Sequence, residues 1–299
     1  MPGLKDVKNK IKGIGKTAQI TKTMYMVASA KLRSAQKRME DFRPYTAKFT
    51  DVMQELSGGG ESETGVLPLM EQREVKTVAL VVITSDRGLA GSFNSNILRA
   101  ADRLRRQYEG EGKKVSVVAV GKKASRYFRK TGLLREEFND IMGSFLMFNA
   151  RDIAQVLTRA FLAGECDRVD LIYGKYFSMA VQKPEIEQML PIEPVQGRQA
   201  GDDRVQPPAA GPNGVYTFEP DAGAIMNDLL PLFLNVQVYH AMLEVGASEQ
   251  AARMTAMDNA TKACKDMIKD LTRLYNKARQ AAVTNELIDI VGGAEALKG

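Results

Sequence analysis

"KGIGKT", residues 12–17, has the ending of a phosphate-binding loop, and its reading decides the fold. Such a loop is written G-x-x-x-x-G-K-[ST], with a glycine-rich backbone wrapped around phosphates. Counting back from Gly15, Lys16 and Thr17, the first glycine belongs at position 10, where Lys10 stands. The loop also follows a buried apolar strand, whereas the preceding "MPGLKDVKNKIK" is basic and not strand-like. Periodicity is the stronger objection. Leu4, Val7, Ile11, Ile14, Ala18, Thr21, Tyr25, Ala28, Leu32, Ala35, Met39 and Phe42 follow one another at alternating steps of three and four. That is a heptad seam with Thr21 as its one polar member, and it runs straight through the glycines. A backbone cannot be a loop around a phosphate and an uninterrupted helix at once, so the spacing predicts a helix. Its two glycines then weaken it by about 1 kcal/mol each relative to alanine.

The seam continues through Thr46, Phe49, Met53 and Leu56, with a bend expected at Pro44, until "SGGGESETG" (57–65) ends it. A second heptad occupies the other end of the chain. It reads Ala222, Met226, Leu229, Phe233, Val236, His240, Leu243, Ala247, Gln250, Met254, Met257, Thr261, Cys264, Ile268, Leu271, Tyr275, Ala278 and Ala282. Only His240, Gln250 and Thr261 are polar, and Pro231 marks either a kink or the helix start. The two helices would be about 80 Å and about 105 Å long at 1.5 Å per residue. Two seams separated by a compact domain that returns the chain most simply pair antiparallel. The longer helix then runs past its partner at the C-terminal end.

Between the seams the pattern changes. "VKTVALVVITS" (75–85), "KVSVVAVG" (114–121) and "VDLIYGKYF" (169–177) are short β-branched runs. Helical stretches separate them: "SNILRAADRLRRQYEGEG" (95–112), "KKASRYFRKTG" (122–132) and "NARDIAQVLTRAFLAGE" (149–165). Alternating strands and helices predict βαβ units around a mainly parallel sheet. The prolines of "KPEIEQMLPIEP" (183–194) suit an edge strand. The expected fold is α/β plus long helices: an antiparallel coiled coil with an inserted Rossmann-like α/β domain. Its parts are an N-terminal coiled-coil helix at 1–57, a linker at 58–74, the α/β domain at 75–193, an exposed loop at 194–220 and a C-terminal coiled-coil helix at 221–299.

Composition narrows the function. With 44% hydrophobic and 26% charged residues the 299-residue chain has the make-up of a globular protein, and no apolar run approaches the ~18 residues of a membrane span. Cys166 and Cys264 stand far apart without CxxC spacing, and the single histidine, His240, leaves nothing for a histidine metal cluster. His240 reads as a satisfied histidine between helices. Neither a metal nor a cofactor is expected. Residues 1–48 hold twelve Lys or Arg against Asp6, Glu40 and Asp41, a net +9, so that the rest of the +6 chain carries −3. An acid-poor basic start can be a transit peptide or a nucleic-acid arm. The seam argues against both, since it asks for a partner helix along its whole length. Three readings of the charge stay open: a solvated helix face, an acidic protein partner, or nucleic acid. Asp86, Arg87 and Gly88 follow the first strand as a ligand turn would, but no G-x-G-x-x-G accompanies them.

Three stretches carry a resemblance. "ITKTMYMVASAKLR" (20–33), "TSDRGLAGSFN" (84–94) and "SEQAARMTAMDNATK…LYNKARQAAVTNELIDIVGGAEAL" (248–297) closely resemble the gamma-subunit family of the rotary (F-type) ATP synthases. The match runs in order along essentially the whole chain. It starts at the family's first position without a leader and lacks the chloroplast form's cysteine-bearing insertion, which makes a bacterial member the expectation. The resemblance implies a non-catalytic central shaft. Its coiled coil enters a ring of alpha and beta subunits, and its globular part stands on the c-subunit ring beside the epsilon subunit. Such a subunit carries torque, coupling proton flow to ATP synthesis or hydrolysis, and is peripheral to the membrane, on the cytoplasmic face of the bacterial inner membrane. No nucleic acid is involved. The resemblance further implies rotor–stator contacts at Lys22, Met24, Lys31, Arg33, Arg253, Arg279, Gln280, Thr284 and Glu286. Lys22, Lys31 and Arg33 pass an acidic loop of beta, whereas Arg279 and Gln280 hydrogen-bond another beta loop. Tyr216 and Glu219 match the foot beside the c ring or epsilon. The alternative is a nucleotide-binding α/β enzyme with coiled-coil arms.

Overall fold

A computed structural model describes residues 4–58, 67–193 and 222–296. Helix α1, Leu4–Gly58, passes through residues 12–17 without a break. The phosphate-loop reading therefore falls, for the reason the periodicity gave. Helix α5 runs from Ala222 to Ala296 and continues through Pro231, which is exposed, as α1 continues through Pro44. Of the two readings of Pro231, a helix start is excluded.

The chain forms two compact units, residues 1–30 with 253–299 and residues 31–252. The first is helical throughout its described part. Val7, Thr21 and Ala28 of α1 are buried, as are Met257, Thr261 and Cys264 of α5. Every other seam member in this unit is at least partly buried, as far as Ala282. The polar interruptions of the two seams meet: the hydroxyls of Thr21 and Thr261 lie 2.8 Å apart in the buried interface. Each also reaches a carbonyl of its own helix, that of Ala18 or Met257. A hydroxyl has one proton, so one donates to a carbonyl and the other across the seam. A slip of register would bury both hydroxyls against apolar side chains, so the pair specifies the register. We expect Thr21→Val or Thr261→Val alone to lower stability by about 1 kcal/mol, and the double replacement to lie near wild type. Urea unfolding of the four chains measures the coupling.

The second unit holds the sheet. Its elements are β1 (Thr77–Ile83), α2 (Phe93–Gly110), β2 (Lys114–Val120), α3 (Lys122–Phe128), β3 (Leu134–Phe138), α4 (Met147–Leu162), β4 (Arg168–Tyr176) and β5 (Gln182–Leu190). The order is β3-β2-β1-β4-β5, parallel except for the antiparallel edge strand β5. β1 is almost wholly buried, as expected of a central parallel strand covered on both faces. Helix α2 turns Ile97, Ala101 and Tyr108 inward, and α4 turns Ile153, Leu157 and Phe161. Within this unit α1 and α5 run antiparallel: Phe42 packs edge-on to Tyr239, and Phe49 stacks on Phe233. Strand and helix side chains share one core that includes Met39, Leu80, Phe145, Leu234 and Met242.

Candidate functional site

Doubly wound sheets bind ligands at the carboxyl ends of their strands, at the point where strand order reverses, here between β1 and β4. Beside that point, at the ends of β1, β2 and β3, the chain supplies its own acceptor. Asp86, in the turn after β1, accepts backbone N–H groups from Lys122 (3.0 Å), Asp140 (3.0 Å) and Met142 (2.9 Å). The three donors open α3 or follow β3, where a phosphate would meet backbone amides. A fixed carboxylate thus stands in the anion's place and repels any second one. Thr84 closes the turn further, accepting the Ala124 N–H at 2.9 Å. Gly121, with φ of +90°, lies so close that an added Cβ would stand 2.3 Å from the Thr84 carbonyl oxygen. The ligand-turn reading of Asp86, Arg87 and Gly88 thereby becomes a structural one for Asp86.

The rest of the edge is attached to the helices. Glu244 of α5, 6% exposed, accepts the N–H of Tyr176, the last residue of β4, at 2.7 Å. Gln36 of α1 donates to the Tyr176 hydroxyl at 2.8 Å. Arg38 donates to the carbonyl of Phe145 at 2.9 Å and lies over the Phe145 ring. His240 is partly buried, with Nε2 3.7 Å from Glu244. Burial pushes the Glu244 carboxyl above the usual range, while the Tyr176 N–H and the charges of Lys175 and Arg43 pull it back. The folded chain therefore holds this proton at pH values where the unfolded chain has lost it. Stability from this group is greatest below the ordinary carboxylate pKa and falls as pH rises through the raised one. Glu244→Gln keeps an acceptor for Tyr176 and removes that loss. As pH rises above the ordinary carboxylate range, the variant's urea midpoint should gain on wild type.

The residues that the resemblance placed against a stator lie on the two long helices. Lys22, Lys31 and Arg33 of α1 are exposed, and Met24 is partly buried. Arg279, Gln280, Thr284 and Glu286 of α5 are all exposed, and the Thr284 hydroxyl donates to the Gln280 carbonyl at 2.9 Å. Arg253 differs: it is buried, 9% exposed. Its position flanking the seam turns it inward. Tyr216 and Glu219 lie outside the described residues. Within the first unit, Lys22 and Arg279 do not share one site. Counted antiparallel from the Thr21–Thr261 pair, Arg279 lies 18 residues beyond Thr261, about 27 Å along the helix from the level of Lys22.

Sequence reasoning passed over the apolar part of this surface. Ile20, Met26 and Val27 are each more than half exposed among the lysines of α1. Beyond Ala282, Val283, Leu287, Ile288, Ile290 and Val291 are exposed at 48–67%. Apolar residues on the outer face of a heptad helix were the available signal, since no intramolecular seam uses them. Among the described residues no cluster of His, Cys, Asp or Glu is placed to hold a metal, and no helix is long and apolar enough to cross a membrane.

Two long helices at the ends of the chain thus carry an α/β domain inserted between them in sequence, attached at the carboxyl edge of its sheet. The ATP synthase family model matches residues 3–297. The ATP synthase gamma chain of Desulfotalea psychrophila is 55% identical, and that of Nitratidesulfovibrio vulgaris (Miyazaki F) 50%, each aligned over the whole of both chains. A chain of the Tetrahymena thermophila mitochondrial ATP synthase central stalk and c-ring structure is 27% identical, with a TM-score of 0.59. That alignment covers 81% of this chain and 99% of the other. One from the Euglena gracilis mitochondrial ATP synthase has the same fold, with a TM-score of 0.68 over 98% and 94% of the two chains at 22% identity. This chain belongs to the ATP synthase gamma-chain family.

Proposed function

We infer that the chain is the central rotor shaft of a proton-translocating ATP synthase. It carries torque between a membrane c ring and a catalytic hexamer of alpha and beta subunits. It performs no bond chemistry itself and sits beside epsilon as a peripheral protein on the cytoplasmic face of a bacterial inner membrane. The observation that carries this reading is the exposed apolar end of α5, where five large aliphatic side chains beyond Ala282 lie open to solvent. Such a surface calls for a surrounding partner. The basic and apolar face of α1 fits an acidic, partly apolar loop of beta. An asymmetric shaft meets three identical beta surfaces differently, and each contact favours a different site conformation. The enzyme reading has no support at the sheet edge, where Asp86 takes the anion's place. The reading is tested by assembly with alpha and beta. The chain should co-purify with the hexamer and hydrolyse no ATP alone. A phosphate release that scales with this chain after beta is removed overturns it.

Met24 gives a sharper test. The side chain is neutral and flexible, and slides past a polar partner without holding it. Met24→Lys adds a cation beside Lys22. An ion pair with beta at one rotor angle, worth about 1 kcal/mol, deepens one well on the rotary path and raises the climb out of it. The variant should assemble, bind nucleotide, and turn over with a steeper temperature dependence. Protons pumped per ATP in membrane vesicles should fall. A wild-type ratio places Met24 against its partner helix instead.

A further inference from the structure

We propose that Gln36, Arg38, Tyr176 and Glu244 form the joint that fixes the α/β domain rotationally to the helical pair; this rests on the rotor reading. A shaft driven through a side domain needs more than a shared core. Apolar contact is non-directional and lets one element turn over another, whereas hydrogen bonds at fixed angles resist turning. Resistance to twist also grows with the separation of the attachment points. Two described attachment points hold the domain to the helices. One is the end of β4, where the Tyr176 N–H donates to Glu244 of α5 and the Tyr176 hydroxyl accepts a hydrogen bond from Gln36 of α1. The other follows β3, where the Phe145 carbonyl accepts from Arg38. The Arg38 guanidinium also donates to the Tyr239 hydroxyl of α5 at 3.3 Å, so each point engages both helices. The two points lie on different parts of the domain, one at the last residue of β4 and the other seven residues beyond the end of β3.

Glu244 is buried and Arg38 lies over the Phe145 ring, so solvent does not compete freely for these bonds. The domain hangs by the edge that related sheets use for ligands, which gives the loss of a ligand site a mechanical use.

The test uses the assembled complex, with Gln36→Leu and Arg38→Met combined. These keep an unbranched or similarly bulky apolar stem and remove the directional donors. A probe on the domain, observed with the hexamer held fixed, should show at least a twofold larger angular variance than wild type. Proton pumping against a gradient should fall several-fold, with ATP hydrolysis within twofold of wild type. Tyr176→Phe, which removes only the hydroxyl, should shift the same readouts less, and Arg38→Lys should recover part of the loss. Melting temperatures separate a joint from a merely structural role: pumping that follows Tm across the series, and not angular variance, overturns the proposal. Variants that match a rotating wild type overturn the joint alone. A wild-type chain that does not rotate overturns the rotor reading and the joint with it.

Discussion

Replacing Arg279 and Gln280 together by alanine is expected to lower ATP turnover of the assembled complex about tenfold to a hundredfold while leaving the complex intact. Both side chains are exposed on α5, and their helix continues beyond them to Ala296. No described contact within the chain uses either side chain, so their removal costs the fold little. An arginine fork and an amide offer several directional donors to a partner loop. Hydrogen bonds to charged groups contribute about 1.5–3 kcal/mol each, and each 1.4 kcal/mol off a barrier is tenfold in rate. A contact made and broken as the shaft turns acts on the barrier between angles more than on resting affinity. Thr284 and Glu286, within two turns on the same helix, continue this surface, and their single replacements should have smaller effects in the same direction. Turnover of purified complex, with subunit stoichiometry measured alongside, checks the prediction. Unchanged turnover in a well-assembled double variant assigns the pair to solvent.

Gly121→Val should prevent the α/β domain from folding stably, at a cost of about 4 kcal/mol or more. Gly121 combines a φ of +90° with a carbonyl oxygen 2.3 Å from where Cβ would stand. Valine is β-branched, and the obstacle is backbone, so neither a rotamer change nor a flexible neighbour relieves it. The Gly121 N–H also donates to the Phe138 carbonyl at 2.7 Å, tying β2 to β3, and any shift breaks that bond. Gly15 should behave oppositely. It lies inside α1 with nothing within 4 Å of an added Cβ, so Gly15→Ala should stabilise the helix by about 1 kcal/mol. In a phosphate-binding loop the same change would destroy function. Thermal unfolding of the two variants beside wild type separates the cases, and a stable Gly121→Val chain would show that the turn adopts another conformation.

The long helices were legible because burial follows sequence spacing directly. Every described seam side chain, from Leu4 to Phe49 and from Met226 to Ala282, is buried or partly buried. The hydrophobic strands were legible for the same reason. β3 was missed because "LREEF" is mostly charged, which suits an edge strand but carries no apolar period. The role of Asp86 was not legible, since its three donors come from 36 to 56 residues away and depend on how three loops converge. The pairing of Thr21 with Thr261 could be suspected as two polar interruptions in facing seams, but needed the register to be seen. Arg253 stands beside a seam, where a side chain can turn either way, and it is buried here, so its contact with a stator stays a proposal from resemblance. The foot residues Tyr216 and Glu219 lie outside the described structure, so their contact with a c ring or epsilon stays a proposal from resemblance.

As a rotor shaft, this chain is expected to turn inside its partners. Cys166 and Cys264 are both buried, and burial pushes the Cys166 thiol up to about 11, so neither competes for a thiol label. A cysteine placed at exposed Lys183 on the edge strand can then carry a probe on the α/β domain. With the catalytic hexamer fixed to a surface and ATP supplied, the probe should rotate in one direction, pausing about three times per turn as three equivalent catalytic sites require. A probe that stays at one angle while the same complexes hydrolyse ATP would contradict the account.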